Sequence, residues 1–229
     1  MAAEVPPGSA AGGAPLTDAQ RALRAQMLAT EHWSLLASRT TTQNEVLARI
    51  AIFLTLVSAG LVALGFVGQA SGFRGWFGVA ALAVLLTLAV LGAVTELRVW
   101  NTATEDLMYV VAMNRLRAGY LALDPGMAPY LMASPHDDLA GSRITYHFFF
   151  PRGPSQVAGS SMTLIAIVEG VVLGLFVGGG LSALGAPAVV AVIVAVVVFL
   201  LEMVAAVGRG YALYRRSFLS YEPVNPTVE

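Results

Sequence analysis

The chain contains no cysteine and no lysine among its 229 residues. Without cysteine it offers no disulfide, no thiol nucleophile and no cysteine-ligated cluster. Without lysine it cannot form a Schiff base to retinal or pyridoxal phosphate. Charge is also scarce, since charged residues make up 12% of the chain and the formal net charge is -1. A chain without a basic excess lacks the electrostatic footprint of a nucleic-acid binder, so we predict no nucleic-acid partner.

Motifs of catalysis and cofactor binding are missing as well. The sequence has no glycine-rich phosphate loop, no nucleophile elbow, and no HExxH or paired aspartyl motif in its apolar runs. His136, Asp137, Asp138 and His147 match no established zinc spacing, and we interpret them as polar residues of a solvated loop. We therefore predict no catalytic residue, no metal site and no cofactor.

Long apolar runs are what the chain does have. Runs 50–72 and 75–95 carry no charge, and each can cross the roughly 30 Å of membrane hydrocarbon. The run 153–201 is about twice the length of one membrane helix, so we expect it to turn back within the glycine-rich stretch 178–187. The sequence predicts an all-α polytopic membrane protein with four transmembrane helices and a helical cytoplasmic region.

The arginines predict the orientation in the membrane. All 13 basic residues are arginine, and only Arg74 falls in a predicted outer loop. Because cytoplasmic loops accumulate positive charge, we expect both termini to be cytoplasmic, in a cytoplasmic (inner) membrane. The predicted organisation is a disordered N-terminus (1–16), a cytoplasmic helix (17–41), a first transmembrane hairpin (42–95), a cytoplasmic helical segment continuing span two (96–157), a second transmembrane hairpin (158–208) and a cytoplasmic tail (209–229).

Two capping boxes mark helix starts before the first span. Thr17 with Gln20 and Thr42 with Glu45 have the required spacing, so we predict a first helix that ends near residues 38–41 and a second that enters the membrane. The apolar face of the first of these helices predicts either packing on other cytoplasmic helices or an in-plane interfacial helix. This face consists of Leu23, Met27, Trp33 and Leu36.

The second span is predicted to continue far beyond the membrane. Neither Gly nor Pro occurs from residue 93 to residue 118, and Asp124 with Pro125 should end the helix. An apolar stripe along this extension predicts packing within the chain or contact between subunits. The stripe consists of Leu97, Trp100, Leu107, Val110 and Val111.

Two glutamates inside the second hairpin are the leading candidates for function. Glu169 lies near the predicted bilayer midplane, where a charge costs about 2.5 to 3.5 kcal/mol on the mildest scale. Glu202 lies at a similar depth on the next, antiparallel span. A shared proton, a cation site or a proton relay would each use such a pair. The structural alternative is that each is protonated or pairs with an arginine such as Arg209.

Two further patterns occur in the spans. Small residues recur every four positions in span three and predict close helix association, either with span four or with a neighbouring subunit. They are Ala166, Gly170, Gly174, Gly178 and Ser182. In span one, Thr55, Ser58 and Gln69 lie on roughly one face and form a candidate pore-facing seam, although such hydroxyls usually bond to their own backbone.

The layout of residues 25–125 resembles that of the SLATT-type membrane effectors. A cytoplasmic helix, a membrane hairpin joined by residues 70–74 and a long helix leaving the membrane follow one another, and residues 31–36 (EHWSLL) and 41–45 (TTQNE) are similar to the entry of that hairpin. The family is proposed to form pores in bacterial defence and conflict systems, usually downstream of a nucleotide-sensing partner. The resemblance implies a pore in a bacterial membrane, signalled by a cytoplasmic partner.

Three functions are compatible with these patterns. The first is a homo-oligomeric, cation-preferring ion channel or pore in the lipid bilayer, assembled through the small-residue stripe and the projecting helices and gated through its cytoplasmic helices. The second is a membrane scaffold or accessory subunit that docks a cytoplasmic or membrane partner. The third is a small proton-coupled transporter, which is weakened by the absence of evident inverted repeats.

Overall fold

A computed structural model of the chain describes residues 16–151, 153–219 and 221–227. The predicted disordered N-terminus, apart from its last residue, lies outside the described residues. The described residues form helices and contain no strand, which confirms the all-α prediction. The elements are α1 (Asp18–Ser71), α2 (Phe77–Leu123), a 3-10 helix (Pro125–Tyr130), α3 (Leu139–Tyr146), α4 (Pro154–Ala158), α5 (Ser161–Ala183) and α6 (Ala188–Leu219).

Four helices, α1, α2, α5 and α6, are long and apolar enough to cross a membrane, as predicted. The first two are much longer than the roughly 20 residues that a span needs, so they project well beyond it. Residues 18–48 of α1, residues 98–123 of α2, helix α3 and the tail 221–227 are called here the extramembrane bundle. The protein is therefore a four-span membrane protein with a helical part outside the bilayer.

The helix break predicted near residues 38–41 is wrong. Helix α1 is continuous over 54 residues because neither Gly nor Pro occurs between its start and Gly60. The hydroxyl of Thr40 donates a hydrogen bond to the Leu36 carbonyl oxygen at 2.9 Å, which accommodates threonine inside the helix. The capping box of Thr17 forms, whereas that of Thr42 does not, because position 42 lies within α1.

The unbroken extension of span two is confirmed. Helix α2 runs for 47 residues and stops at Asp124, whose φ of -146° and ψ of 98° leave the helical region. Pro125 then opens the 3-10 helix. At 1.5 Å per residue, α2 is about 70 Å long. Helices α1 and α2 pack along one another and join the spans to the extramembrane bundle without a hinge of irregular structure.

Helix α5 lies at the centre of the four spans. It packs on α6 and on α2, and α2 packs on α1, whereas α2 and α6 make few contacts with each other. The core between α1, α2 and α5 includes Phe53 of α1, Leu88 of α2, and Ile165 and Val172 of α5. Because α2 and α6 both rest on α5 but barely touch, a cleft remains between them, with α5 as its floor.

The small-residue stripe of α5 faces α6 of the same chain. A Cβ added at Gly174 would stand 2.8 Å from the carbonyl oxygen of Ala195, and one at Gly178 would stand 3.0 Å from that of Ala191. Ala166, Gly170, Gly174 and Gly178 are buried there, and Ser182 is exposed. Of the two partners left open by the sequence, the structure selects span four. The stripe is thereby occupied, so it does not assemble subunits as the channel hypothesis expected.

Candidate functional site

Three carboxyl groups line the cleft between α2, α5 and α6. Glu169 of α5 is 1% exposed and Glu96 of α2 is 3% exposed, while the side chain of Glu202 on α6 is 14% exposed. The sequence indicated Glu169 and Glu202 but missed Glu96. Glu96 follows directly after an apolar run, where a charged residue ordinarily marks the solvated end of a span. The three residues are called here the acidic cluster.

Helix register sets the depth of the acidic cluster. Glu169 lies opposite Gly92, so Glu96, four residues further along α2, is about 6 Å nearer the extramembrane end. Gly170 lies opposite Phe199 of the antiparallel α6, which brings Glu202 to a depth between the other two. The similar depth that the sequence predicted for Glu169 and Glu202 follows from this antiparallel packing.

Glu169 is buried without a hydrogen-bond partner. Neither of its carboxyl oxygens is bonded to any group of the described chain. A Cβ added at Gly92 would stand 1.5 Å from Oε2 of Glu169 and 2.8 Å from the ring of Phe53. The carboxyl group therefore occupies space that only a glycine leaves open on α2. A buried polar group without a partner is costly, so packing and hydrogen bonding within the described chain do not account for this carboxyl group.

Glu96 and Glu202 face each other across the cleft. Both side chains line the cleft, and Oε1 of Glu96 is buried without a hydrogen-bond partner among the described residues. Oε1 of Glu202 is also 4.0 Å from Nη1 of Arg209, so the pairing that the sequence offered as a structural alternative is present at the outer limit of an ion pair. The guanidinium group of Arg209 lies 5.1 Å from the ring centroid of Trp100.

The cleft has a volume of about 360 Å³. Its walls are apolar except for the acidic cluster and Arg209. The lining residues are Leu86, Ala89, Val90, Ala93, Glu96, Glu169, Leu173, Phe176, Glu202 and Arg209. Leu86 and Val90 are about half exposed on the outer side of α2. The cleft therefore opens sideways, between α2 and α6, and its polar groups are concentrated at the end near Arg209.

The seam predicted on span one lies elsewhere. Thr55, Ser58 and Gln69 are exposed on the side of α1 away from the cleft. The Thr55 hydroxyl donates to the Ala51 carbonyl oxygen at 2.8 Å, and the Ser58 hydroxyl donates to that of Leu54 at 2.9 Å. Both hydroxyls are thus satisfied within their own helix. Gln69 is the remaining exposed polar side chain of the three.

The sequence left open whether the apolar stripe of α2 packs within the chain or contacts another subunit, and its residues differ in exposure. Leu107 and Val110 are buried within the chain, Trp100 and Val111 are half-buried, and Leu97 is exposed. The indole N–H of Trp100 points to the sulfur of Met162 on α5 at 2.8 Å, which fixes the ring. Most of the stripe is therefore used for packing within the chain.

The predicted apolar face of the N-terminal helix is not packed in the single chain. Leu23, Met27 and Trp33 are each more than half exposed, and Leu36 is also exposed. Contact with α2 is made instead by the neighbouring face, where a Cβ at Gly119 would stand 3.2 Å from Leu28. The choice of face depends on how α1 is rotated against α2, which the apolar pattern by itself does not set.

Asp106 of α2 joins three elements of the extramembrane bundle. Its carboxylate accepts hydrogen bonds from Arg39 at 2.6 and 3.1 Å and from Gln43 at 2.7 Å, both on α1. The hydroxyl of Tyr146 on α3 donates to it at 2.7 Å. Burial raises the pKa of Tyr146, and the neighbouring carboxylate of Asp106 raises it further.

Asp137 binds the C-terminal tail, so its interpretation as a solvated loop residue is wrong. It is fully buried and accepts hydrogen bonds from Arg115, from the Tyr221 hydroxyl at 2.7 Å, and from the amides of Val224 at 3.1 Å and Asn225 at 2.8 Å. Burial alone would raise the pKa of Asp137, but these donors lower it to about 2. The side chain thereby ties the tail to the end of α2.

Asp138 completes the attachment of the tail. One carboxylate oxygen caps α3 by accepting from the amide of Gly141 at 2.7 Å, and the other accepts from the amide of Thr227 at 2.7 Å. The ring nitrogen Nδ1 of His136 lies 3.3 Å from the carbonyl oxygen of Asn225. Among the residues that the structure describes, no three His, Asp or Glu side chains converge as metal ligands.

The acidic cluster is the part of the molecule with chemistry that packing does not explain. Three carboxyl groups in one largely apolar cleft are costly to ionise together without a neutralising species. A proton or a cation serves that purpose, and the cleft connects the cluster with the end of the spans near Arg209. No protein-family model, no curated protein and no solved structure is significantly similar to this chain.

Proposed function

We propose that this protein is a homo-oligomeric ion channel of a bacterial cytoplasmic membrane, in which the acidic cluster favours cations. The observation that carries the proposal is Glu169, a carboxyl group 1% exposed, without a hydrogen-bond partner, that lines a cleft within the spans. Rings of carboxylates are a common means of favouring cations in channels. A purely structural carboxyl group would be expected to have its oxygens bonded to neighbouring groups.

The sideways opening of the cleft supports assembly of several copies. In a single chain the gap between α2 and α6 is bordered by the exposed side chains of Leu86 and Val90, which would face lipid. A hydrated path cannot share a wall with lipid tails, so a second protein surface is needed there. A neighbouring copy supplies that surface and would bring several acidic clusters around one path. The distribution of arginines supports a cytoplasmic position for the extramembrane bundle.

The continuity of α1 and α2 supports gating from the extramembrane bundle. Phe53 and Gly92, which enclose the carboxyl group of Glu169, lie on the same unbroken helices as Arg39 and Asp106. A shift of the bundle would therefore move both walls around Glu169, since rigid helices transmit small displacements. Such coupling suits a channel that receives a signal from a cytoplasmic partner.

Flux through the purified protein in liposomes tests this proposal. We expect the wild-type protein to pass potassium ions or protons, and Glu169→Gln to reduce that flux or abolish its preference for cations. Glu31→Gln is the matched control, because Glu31 is exposed on α1 outside the spans. Wild-type flux and cation preference that persist in Glu169→Gln would contradict the role of Glu169. Absence of flux at every voltage and pH would contradict the channel.

A membrane scaffold is the second candidate, and one observation favours it. Leu23, Met27 and Trp33 expose more than half of their apolar surface in the part of α1 that lies outside the spans. Apolar side chains in that position mark contact surfaces for other proteins. A stable complex with a different protein after purification, together with no ion flux, would favour the scaffold over the channel.

A further inference from the structure

We infer that the acidic cluster takes protons rather than metal cations, and that Arg209 sets this selectivity. The inference rests on the proposed function, because it names the ion that the cluster handles. It concerns the charged groups that face the cluster from every neighbouring helix. These are Glu96 from α2, Glu169 from α5, and Glu202 and Arg209 from α6, whereas α1 contributes the apolar ring of Phe53.

Arg209 lies at the extramembrane end of the cleft. It is the one cationic residue that lines the cleft as the structure describes it, and it follows Glu202 by seven residues, or about 10 Å along α6. Its side chain is 54% exposed, so it meets both water and the acidic cluster. A cation that approaches from this end has to pass a fixed positive charge first, and such charges lower the entry of like-charged ions.

Trp100 holds the guanidinium group at this position. The indole ring is fixed through its N–H, which points to the sulfur of Met162 at 2.8 Å, and the guanidinium carbon of Arg209 lies 5.1 Å from the ring centroid. A cation over an aromatic face is stabilised by the ring quadrupole. Arg209 is therefore supported on one side by the ring and on the other by Glu202 at 4.0 Å, which positions it between solvent and the cluster.

The described surroundings of Glu169 do not supply the set of ligands that a coordinated metal ion needs. Its Oε2 lies so close to the α2 backbone that even a methyl group at position 92 would stand 1.5 Å away. Metal cations such as Ca²⁺ and Mg²⁺ require about six oxygen ligands, and the described residues bring no three His, Asp or Glu side chains together for one. A proton needs only one lone pair of a carboxyl oxygen.

Proton transfer through the acidic cluster needs no reactant other than water and the carboxyl groups themselves. A proton that reaches Glu202 from water forms an O–H bond there. Transfer to Glu96, or deeper in the cleft to Glu169, breaks that bond and forms a new O–H bond on the accepting carboxylate, and loss of the proton to water restores that carboxylate. Each step moves one proton between groups that line or enter the same cleft, and the single guanidinium compensates part of the negative charge that remains.

Parallel proton and potassium fluxes through the full-length protein in liposomes test this inference. We expect the wild-type protein to pass protons and to exclude potassium. In Arg209→Gln the potassium flux should rise about tenfold, the low end of the effect of a fixed charge on ion entry. Arg209→Lys keeps the charge and should keep the exclusion. Arg216→Gln, an exposed arginine on the same helix, should behave as wild type.

The possible results separate the two proposals. Wild-type potassium flux equal to the proton flux, with both lost in Glu169→Gln, would overturn the inference and leave the channel in place. Absence of both fluxes would overturn the channel. Unchanged potassium exclusion in Arg209→Gln, in protein that elutes from a sizing column and shows helical circular dichroism as wild type does, would overturn the role of Arg209.

Discussion

The carboxyl group of Glu169 on α5 lies directly against the backbone of Gly92 on α2. A methyl group at position 92 would stand 1.5 Å from Oε2, inside any permitted contact distance. The absence of a side chain at one position of the second span thus creates the space for an acid of the third. Substitutions at position 92 therefore test the site through packing, independently of ion flux.

Gly92→Ala should destabilise the protein by about 2 kcal/mol, because the added methyl group overpacks a site that already holds Glu169 and the ring of Phe53. Thermal unfolding in detergent, followed by circular dichroism, measures the change. Gly78→Ala is the matched control, since a Cβ there meets nothing within 4 Å. Adding Glu169→Ala to Gly92→Ala should recover part of the loss. Equal stability of the two single variants would contradict the close contact.

Gly174→Ala should weaken the packing of α5 on α6. The added Cβ would stand 2.8 Å from the carbonyl oxygen of Ala195, and backbone cannot move aside as a flexible side chain can. We expect a loss of about 1 to 3 kcal/mol in the free energy of unfolding, measured as above. Gly180→Ala, with its nearest neighbour Leu82 at 4.0 Å, should cost less. The reverse order of the two variants would contradict the assignment of the stripe to α6.

Asp106→Asn should loosen the extramembrane bundle. The substitution leaves Arg39 without its ion pair and weakens the hydrogen bonds from Gln43 and Tyr146. We expect a loss of about 1.5 to 3 kcal/mol, as for hydrogen bonds to charged groups. Limited trypsin digestion should then cleave after Arg39 faster than in wild type. Glu105→Gln, which removes a more exposed ion pair, should change the rate little.

The tail should detach from Asp137 in acid. The pKa of this group is about 2 in the folded protein and about 3.9 when unfolded, so its stabilising contribution is present above about pH 4 and is lost as pH falls towards 2. Because the chain has no cysteine, a spin label on Glu222→Cys reports on the tail alone. Its mobility should rise over that range.

Asp137→Asn provides the control for the tail. It keeps the shape of the side chain but removes the negative charge to which Arg115 and two backbone amides donate hydrogen bonds. The label should be mobile already at neutral pH and should respond much less to acid. A label whose mobility is the same from pH 7 to pH 2 in the wild-type background would contradict the role assigned to Asp137.

Some features of the site were predictable and others were not. Glu169 stands out because a charge inside a long apolar run is costly wherever the run packs. Glu96 does not stand out, since a charge at the end of a run is ordinary. Its burial depends on the antiparallel register of α2 with α5 and on the approach of α6. Gly92 likewise becomes informative only when the residue opposite it is known.

The sequence by itself determined the four spans, the unbroken extension of α2 and the position of Glu169 in the membrane. These properties follow from the length of apolar runs and from the positions of Gly, Pro and charge, which act over neighbouring residues. Only the tertiary structure decided that the glycine stripe packs on α6 of the same chain and that Glu96 joins the acidic cluster. Each of these depends on the rotation and register of helices far apart in the chain, where many arrangements bury similar apolar surface and close packing selects one.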